Sequence, residues 1–334
     1  MTYETVLALI DKTSKVKVKD IQQVLDILYY RASLEDDAIE YFYNINDLTE
    51  LILKQELFEG DEDDFHNLSV TYARGDDYAN ACDILDKGLS YYPYSIDLLA
   101  DYLNYGIHCN RFKRCEELYK KLLEVRKWWN WRAYQFSINY LIRRLSIDPT
   151  SKIDDIEDLV EEFVEKMPDV EECYITKAEY IKTFKNETNK EDFLSVLEYA
   201  VSQECIIQRT PKCDLKLADY YYNSGNDLTK ANDLLERCKR NSVESQLSVN
   251  RKYVYLLSAL CKMCLFYDSW KQKEDVKIGE GSEEERRVLN IYNDYHVAAA
   301  GGNDSQVRNC KDLIEAFIKE TGISYPYDDG IYND

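Results

Sequence analysis

The chain has 334 residues, 45% of them hydrophobic, and a formal net charge of −21. The apolar fraction is large enough for a folded core, which excludes global disorder. The acidic excess argues against non-specific binding to nucleic-acid phosphates and against adsorption to anionic lipid.

Proline and glycine are scarce, with 5 and 11 residues respectively, which favours helices joined by short loops over turn-rich β architectures. No apolar run reaches the roughly 18–20 residues of a membrane-spanning helix, and the first residues lack the basic start of a signal peptide. Cys82, Cys115 and Cys238 fall on helical positions for small apolar residues and are expected to be buried free thiols. We therefore expect an all-α, cytoplasmic protein.

The N-terminal region, residues 1–58, is predicted to form a helical cap over the first of the repeats that follow. It contains two or three helical segments without a repeat signature. Asp36, Asp37 and Asp47 give this region a poor surface for DNA, so a DNA-binding domain is not expected here.

A repeat begins at Glu62 and recurs at an interval of 34 residues, the period of one kind of helix–turn–helix repeat. The positions that correspond at this interval are Tyr78 with Phe112, Ala81 with Cys115, Leu85 with Tyr119, and Gly88 with Leu122. Large apolar, small and turn-forming residues also follow a fixed order within the first period, namely Phe65, Leu68, Ser69, Tyr72, Gly75, Tyr78, Ala81, Leu85, Gly88 and Pro93.

On these residues the chain resembles the tetratricopeptide repeat family. The resemblance implies an all-α fold, a right-handed α-solenoid of helix–turn–helix repeats with helical caps. Small side chains at Ser69, Ala81 and Gly88 let the two helices of a unit approach closely. Pro93 cannot continue the second helix and closes the unit.

About five such units are predicted within residues 59–240. Units after the first are predicted to begin near Ile96, Asn130, Glu171 and Pro211. In the third unit the pattern slips after Leu145 and the closing proline, Pro168, arrives late. We therefore predict an insertion between the two helices of that unit.

The C-terminal part is predicted to form a second helical cap over residues 241–322, with helices at about 243–267, 284–299 and 304–320. A polar, glycine-containing loop is expected at 268–284. Residues 323–334 form an acidic, tyrosine-rich tail.

The resemblance also implies a concave groove lined by the first helix of each unit. The residues predicted to face this groove are Asp63, His66, Asn67, Arg74, Asp97, Asp101, Asn104, His108, Trp131, Tyr134, Gln135, Ile138, Lys212, Lys216, Asp219, Tyr222 and Asn223. The first two units present carboxylates and amides, and the third presents aromatic rings. Such a groove suits a peptide that carries Lys or Arg near apolar residues.

Other patterns exclude more specific readings. Co-chaperone repeats grip a C-terminal carboxylate with Lys and Asn in the first unit and Lys and Arg in the third. These residues are absent here, since the matching positions hold His66, Val70, Trp131 and Gln135. Trp128, Trp129 and Trp131 cannot all face inward, because neighbours on a helix are about 100° apart.

Chemistry-bearing motifs are also missing. Cys261 and Cys264 form a C-x-x-C inside a helix without a second pair, so we predict a structural role. No glycine-rich phosphate loop and no catalytic constellation accompany the three histidines. We expect no metal and no cofactor.

The sequence thus predicts a non-enzymatic scaffold or adaptor that binds a protein or peptide with basic residues, and neither nucleic acid nor membrane. Two alternatives stay open. One is a peptide-sensing regulator of the repeat type without a DNA-binding domain. The other is a non-catalytic subunit of an enzyme complex.

Overall fold

The computed structural model describes residues 18–32, 39–54, 61–147, 154–184, 190–202, 211–224, 227–244, 251–270, 278–279, 281–300 and 305–323. Within these ranges the regular structure consists of 15 α-helices and one short 3₁₀ turn at Arg126–Trp128. The chain divides into two compact units, Met1–Pro168 and Asp169–Asp334. This boundary falls inside the predicted array 59–240, and the predicted tail beyond residue 323 lies outside the described residues.

The helices of the first unit are α1 (Val18–Ala32), α2 (Ile39–Lys54), α3 (Glu62–Arg74), α4 (Tyr78–Tyr91), α5 (Ile96–His108), α6 (Phe112–Glu124), α7 (Trp131–Leu145) and α8 (Asp154–Lys166). Those of the second unit are α9 (Glu171–Phe184), α10 (Lys190–Ser202), α11 (Lys212–Ser224), α12 (Leu228–Glu244), α13 (Arg251–Trp270), α14 (Glu283–Ala300) and α15 (Ser305–Thr321). No described helix is both long enough and apolar enough to cross a bilayer.

Polar N-caps set the starts of the repeat helices. Asp61 and Asp64 form a capping box at α3, Asp77 caps α4, Ser95 caps α5 and Asn130 caps α7. Each side chain accepts a hydrogen bond from a backbone N–H that has no partner within the helix. The starts of α3 and α5 lie one predicted period apart, as do those of α4 and α6, so the repeat register is confirmed.

Close approach of the two helices in the first repeat depends on Gly88. A Cβ atom at this position would lie 2.9 Å from both Cβ and Cγ of Phe65 on α3. Ser69 and Ala81 are fully buried at the same seam. The predicted reason for small residues there, room for helix–helix contact, is therefore confirmed.

Helices α1 and α2 pack on α3 and α4 respectively. The Tyr29 hydroxyl donates to Oδ2 of Asp77 at 3.0 Å, and the hydroxyls of Thr49 and Tyr72 are 2.7 Å apart in the core. Lys87 on α4 donates to the carbonyl of Ile52 at 2.9 Å. These contacts cover the start of the array with a helical pair, while the bounds of the predicted cap, 1–58, stay a prediction.

The third repeat has the long connection that the sequence predicts. Residues 75–77 join α3 to α4 and residues 109–111 join α5 to α6, whereas residues 146–153 join α7 to α8. Helix α8 nevertheless packs on α7, with Phe163 fully buried.

In the second unit, α13, α14 and α15 share a core that includes Met263, Phe266, Ile291 and Phe317. The bounds differ modestly from the predicted ones. Helix α12 continues to Glu244, α13 begins at Arg251 and does not end at 267 but at Trp270. The apolar contacts of Phe266 and Trp270, whose rings lie 5.9 Å apart, extend α13 into the predicted loop.

Candidate functional site

The first helices of three successive repeats lie side by side, α3 against α5 and α5 against α7. Their shared surface, here named the α3–α5–α7 face, is where the resemblance implies a groove. It carries Asp63, His66, Asn67, Arg74, Asp97, Asp101, Asn104, His108, Trp131, Arg132 and Gln135.

A cluster of three polar side chains, two of them charged, joins the three helices. Nδ1 of His66 on α3 lies 2.5 Å from Oδ2 of Asp101 on α5. Nη1 of Arg132 on α7 lies 3.1 Å from Nε2 of His66, and its Nη2 lies 3.6 Å from Oδ1 of Asp101. The Asp101 side chain is fully buried, while His66 and Arg132 are 20% and 23% exposed.

The directions of these hydrogen bonds follow from the groups involved. A carboxylate only accepts, so Nδ1 of His66 carries the proton that is donated to Asp101. A guanidinium only donates, so Nε2 of His66 accepts from Arg132. The neutral Nδ1–H tautomer satisfies both bonds, which makes His66 a bridge between Arg132 and Asp101.

Two buried atoms in this cluster have no hydrogen-bond partner among the described residues, Oδ1 of Asp101 and Nε of Arg132. They belong to opposite charges, so the remaining attraction is Coulombic. Burial raises the pKa of the neighbouring Tyr105 hydroxyl, and the negative charge of Asp101 raises it further.

Polar side chains with more solvent access surround the cluster. Asp63, Asn67 and Arg74 are exposed on α3, and Asp97, Asn104 and Gln135 are half-buried. Asp97 accepts a hydrogen bond from Nδ2 of Asn130 at 2.9 Å. The side-chain amides of Asn67, Asn104 and Gln135 make no hydrogen bond to any described residue.

The aromatic residues of this face contact other described side chains. His108 is exposed but stacks on Tyr78 of α4, with ring centroids 4.4 Å apart. Trp131 is half-buried, and the Arg132 guanidinium lies 5.7 Å from its ring centroid.

Two residues predicted to face the groove are instead packing residues. Tyr134 is 1% exposed and Ile138 is fully buried. The Tyr134 ring stacks on Phe163 of α8 at 5.1 Å, and its hydroxyl donates to Oε1 of Glu162 at 2.7 Å. The predicted aromatic floor of the third repeat is thus wrong at Tyr134, because α8 covers that side of α7.

The predicted groove residues of the fifth repeat lie on α11 in the second unit. Lys212 donates to Oε1 of Glu172 at 2.7 Å, and Lys216 pairs with Glu179, both on α9. Asp219 accepts a hydrogen bond from the hydroxyl of Tyr253 on α13. These side chains connect neighbouring helices.

The last two predicted groove residues are Tyr222 and Asn223, also on α11. Tyr222 is half-buried and Asn223 is exposed. Burial, followed by the nearby Cys264 thiol, raises the pKa of Tyr222 to about 12.

The sequence prediction missed Arg132 and Asn130. Each pairs with a carboxylate of the preceding repeat, Arg132 with Asp101 and Asn130 with Asp97. The available signal was spacing, since Asn130 and Arg132 each stand about one repeat length after the carboxylate that they contact.

The tryptophan prediction is confirmed, since Trp128 is 69% exposed while Trp129 is 5% exposed. Cys82, Cys115 and Cys238 are buried thiols. Cys261 and Cys264 lie inside α13, and no group of three potential metal ligands occurs among the described residues.

Comparison with known proteins gives likenesses of fold. No family model matches the sequence, and no curated protein matches it. Yeast Tom70 is 14% identical, with a TM-score of 0.58 over 96% of this chain and 59% of the Tom70 chain. This chain therefore spans about three fifths of the Tom70 chain.

Two further structures have lower scores. A tetratricopeptide repeat protein of Parabacteroides merdae is 14% identical, with a TM-score of 0.45 over 90% of this chain and 99% of that one. The human IFIT1 dimer with m7Gppp-AAAA is 14% identical, with a TM-score of 0.42 over 97% of this chain and 72% of that one. Scores this low carry no argument about ligands, and the expectation of no nucleic acid stays a prediction.

The helix pairs, their register and the likeness to Tom70 together show that this chain has a tetratricopeptide-like helical repeat fold.

Proposed function

We propose that this protein is a non-enzymatic scaffold that binds a protein or peptide segment along the α3–α5–α7 face. The observation that carries the proposal is a set of side-chain amides on the first helices of three successive repeats: Asn67, Asn104 and Gln135. None of them is hydrogen-bonded to a described residue. An amide both donates and accepts, so it matches the alternating N–H and C=O groups of an extended peptide.

The buried cluster of His66, Asp101 and Arg132 supports this role by holding the three helices at fixed spacing. A pre-organised surface loses less conformational entropy when a partner binds. Two of these helices are also anchored in the core, since Tyr72 on α3 and Tyr102 on α5 are almost fully buried.

The charges of the face favour a basic partner. Asp63 is exposed and has no ion pair within the described part of the chain, and Asp97 is 4.0 Å from the nearest guanidinium nitrogen of Arg132. Arg132 is already engaged by His66 and Asp101. We therefore propose that the bound segment carries Lys or Arg and that nucleic acid is disfavoured.

We also propose that the protein works in the cytoplasm. Nine described cysteines are free thiols, including Cys82 and Cys109, whose sulfur atoms lie only 3.7 Å apart. Disulfides form and persist in oxidising compartments, so free thiols this close together favour a reducing compartment such as the cytoplasm.

The test uses short random peptides displayed on phage and selected on the purified protein. We expect the selected peptides to be enriched in Lys and Arg. Their affinity should fall about tenfold or more for N67A/N104A, because two backbone-directed amides are lost. It should fall by a smaller factor for D63N/D97N, and that loss should shrink at high salt.

The matched control is D26N/D47N. Asp26 and Asp47 are exposed on α1 and α2, so this variant has the same change in net charge away from the face. Equal affinity of all variants for the selected peptides contradicts the proposal. Competition by a capped RNA oligonucleotide, with affinity lost in the same variants, would assign the face to nucleic acid instead.

A further inference from the structure

A second concave surface lies between the second helices of the second and third repeats and shares no residue with the α3–α5–α7 face. This α6–α8 groove has a volume of about 460 Å³. That is within the range of about 300–1,000 Å³ typical of ligand clefts. Its walls are the C-terminal half of α6 and the N-terminal half of α8, and α7 forms its floor.

The lining is apolar along both walls. Tyr119 and Leu123 are four residues apart on α6, and Ile156 and Leu159 are three apart on α8. Residues at these spacings lie on one face of a helix, so each wall presents an apolar strip parallel to its axis. A groove with an apolar strip on each of two helical walls fits a helix better than a compact small molecule.

Solvent reaches the apolar lining on the α6 wall. Leu123 on α6 is 37% exposed, whereas Ile156 and Leu159 on the opposite wall are buried. Trp128, two residues beyond the lining residue Arg126, is 69% exposed. Large exposed apolar side chains beside an apolar cleft mark an interaction surface more often than a bare protein surface.

The positive charges at the rim are already paired. Arg126 forms an ion pair with Glu162, and its guanidinium lies 5.6 Å from the ring centroid of Trp129. Arg144 lies 3.9 Å from Oε1 of Glu116.

Two negative charges at the rim, in contrast, have no ion-pair partner among the described residues. Asp155 and Asp158 are exposed and line the groove, and neither has an ion pair within 4.0 Å in the described ranges. They are three residues apart on α8, beside the strip formed by Ile156 and Leu159. The groove is therefore an apolar strip with an acidic edge.

We propose that the α6–α8 groove is a second docking site, which takes an amphipathic helix of a partner protein. The apolar side chains of that helix enter between Leu123 and Leu159, and its flanking Lys or Arg residues pair with Asp155 and Asp158. The protein then holds two partner segments at once, one on each surface.

The probe is a fluorescent helical peptide built from Leu and Lys in a heptad pattern. We expect L123E to weaken its binding about tenfold or more, because a charge replaces part of the apolar wall. D155N/D158N should weaken it several-fold, with a smaller effect at high salt. D26N/D47N, which changes the net charge equally, should bind as the unmodified protein does.

Hydrogen exchange on the unmodified protein locates the peptide without any substitution. Protection is expected in α6 and in the first half of α8. It is not expected at the groove of about 650 Å³ between α10 and α12, whose rim carries Lys230, Arg237 and Arg240.

Three results would overturn the proposal. They are unchanged affinity in both L123E and D155N/D158N, equal binding of a peptide with Glu in place of every Lys, and protection confined to α3 and α5. The last result would leave the function proposed for the α3–α5–α7 face intact. Failure of peptide binding at the α3–α5–α7 face alone would leave the proposal for the α6–α8 groove intact.

Discussion

His66 and Asp101 join two successive repeats through one short hydrogen bond, with Nδ1 2.5 Å from Oδ2. Arg132 closes the same cluster from the third repeat. Because Asp101 is fully buried, the cluster both fixes the spacing of the helices and makes it sensitive to loss of the carboxylate.

We predict that D101A destabilises the protein by about 3 kcal/mol, near the lower limit for breaking a buried ion pair because Arg132 keeps some solvent contact. Removal of the carboxylate leaves Nδ1 of His66 without its acceptor and Arg132 without its counter-ion. Urea unfolding followed by circular dichroism measures the change. D97A, which removes a carboxylate 4.0 Å from Arg132 and more exposed, should cost about 1 kcal/mol or less. Equal losses of unfolding free energy for the two variants would show that the buried cluster stabilises the protein no more than an exposed carboxylate does.

Gly88 offers a second test of the helix–helix seam. In G88A the new methyl group would lie 2.9 Å from Phe65, so α3 and α4 must separate or Phe65 must move. We predict a loss of about 1–3 kcal/mol from overpacking, partly offset by the better helix propensity of alanine. Thermal unfolding measures it. G279A, where no atom of the described residues lies within 4 Å of the added methyl, is the control and should change stability little. Stabilisation by G88A would contradict the packing role.

The repeat register was predictable from sequence because it rests on local rules. Pro93 stops α4, which ends at Tyr91, and small residues sit where two helices meet. The long connection before α8 was equally visible, since Pro168 arrives late. None of these features depends on how one repeat faces the next.

The candidate site was less predictable because it depends on that relation. Position within a repeat indicates which residues face a groove, but it does not reveal that Arg132 reaches Asp101 of the preceding repeat. It also does not reveal that α8 covers Tyr134 through Phe163. Both follow from the offset between successive repeats, which the sequence does not state.

The cysteines give a test of burial in both compact units. Burial raises the pKa of the Cys82 and Cys238 thiols, so little thiolate is present in the folded protein. We predict that iodoacetamide modifies neither of them until the protein unfolds, whereas the half-buried Cys109 reacts earlier. Peptide mass spectrometry at increasing urea concentration measures the order. Rapid modification of Cys82 in the folded protein would contradict its burial in α4.

Glu162 on α8 sets the last prediction, a loss of stability at acid pH. Burial alone raises the pKa of this carboxyl, but hydrogen bonds from Lys166, Tyr134 and Arg126 outweigh it and lower the pKa to about 2. In the unfolded chain the pKa returns to about 4.3. The folded state therefore favours the ionised form of the Glu162 carboxyl. Its contribution to stability is complete above the unfolded pKa, and it is lost as the pH falls from about 5 towards 2.

E162Q keeps an acceptor for Tyr134 but removes the negative charge, so it should be less stable than the unmodified protein near neutral pH. The difference should shrink as the pH falls through the same window, because protonation removes the charge from the unmodified protein as well. Urea unfolding at a series of pH values measures it, and E165Q controls for the loss of an exposed charge on the same helix. A difference that stays constant from neutral to acid pH would show that Glu162 does not hold Arg126 and Tyr134 through its charge.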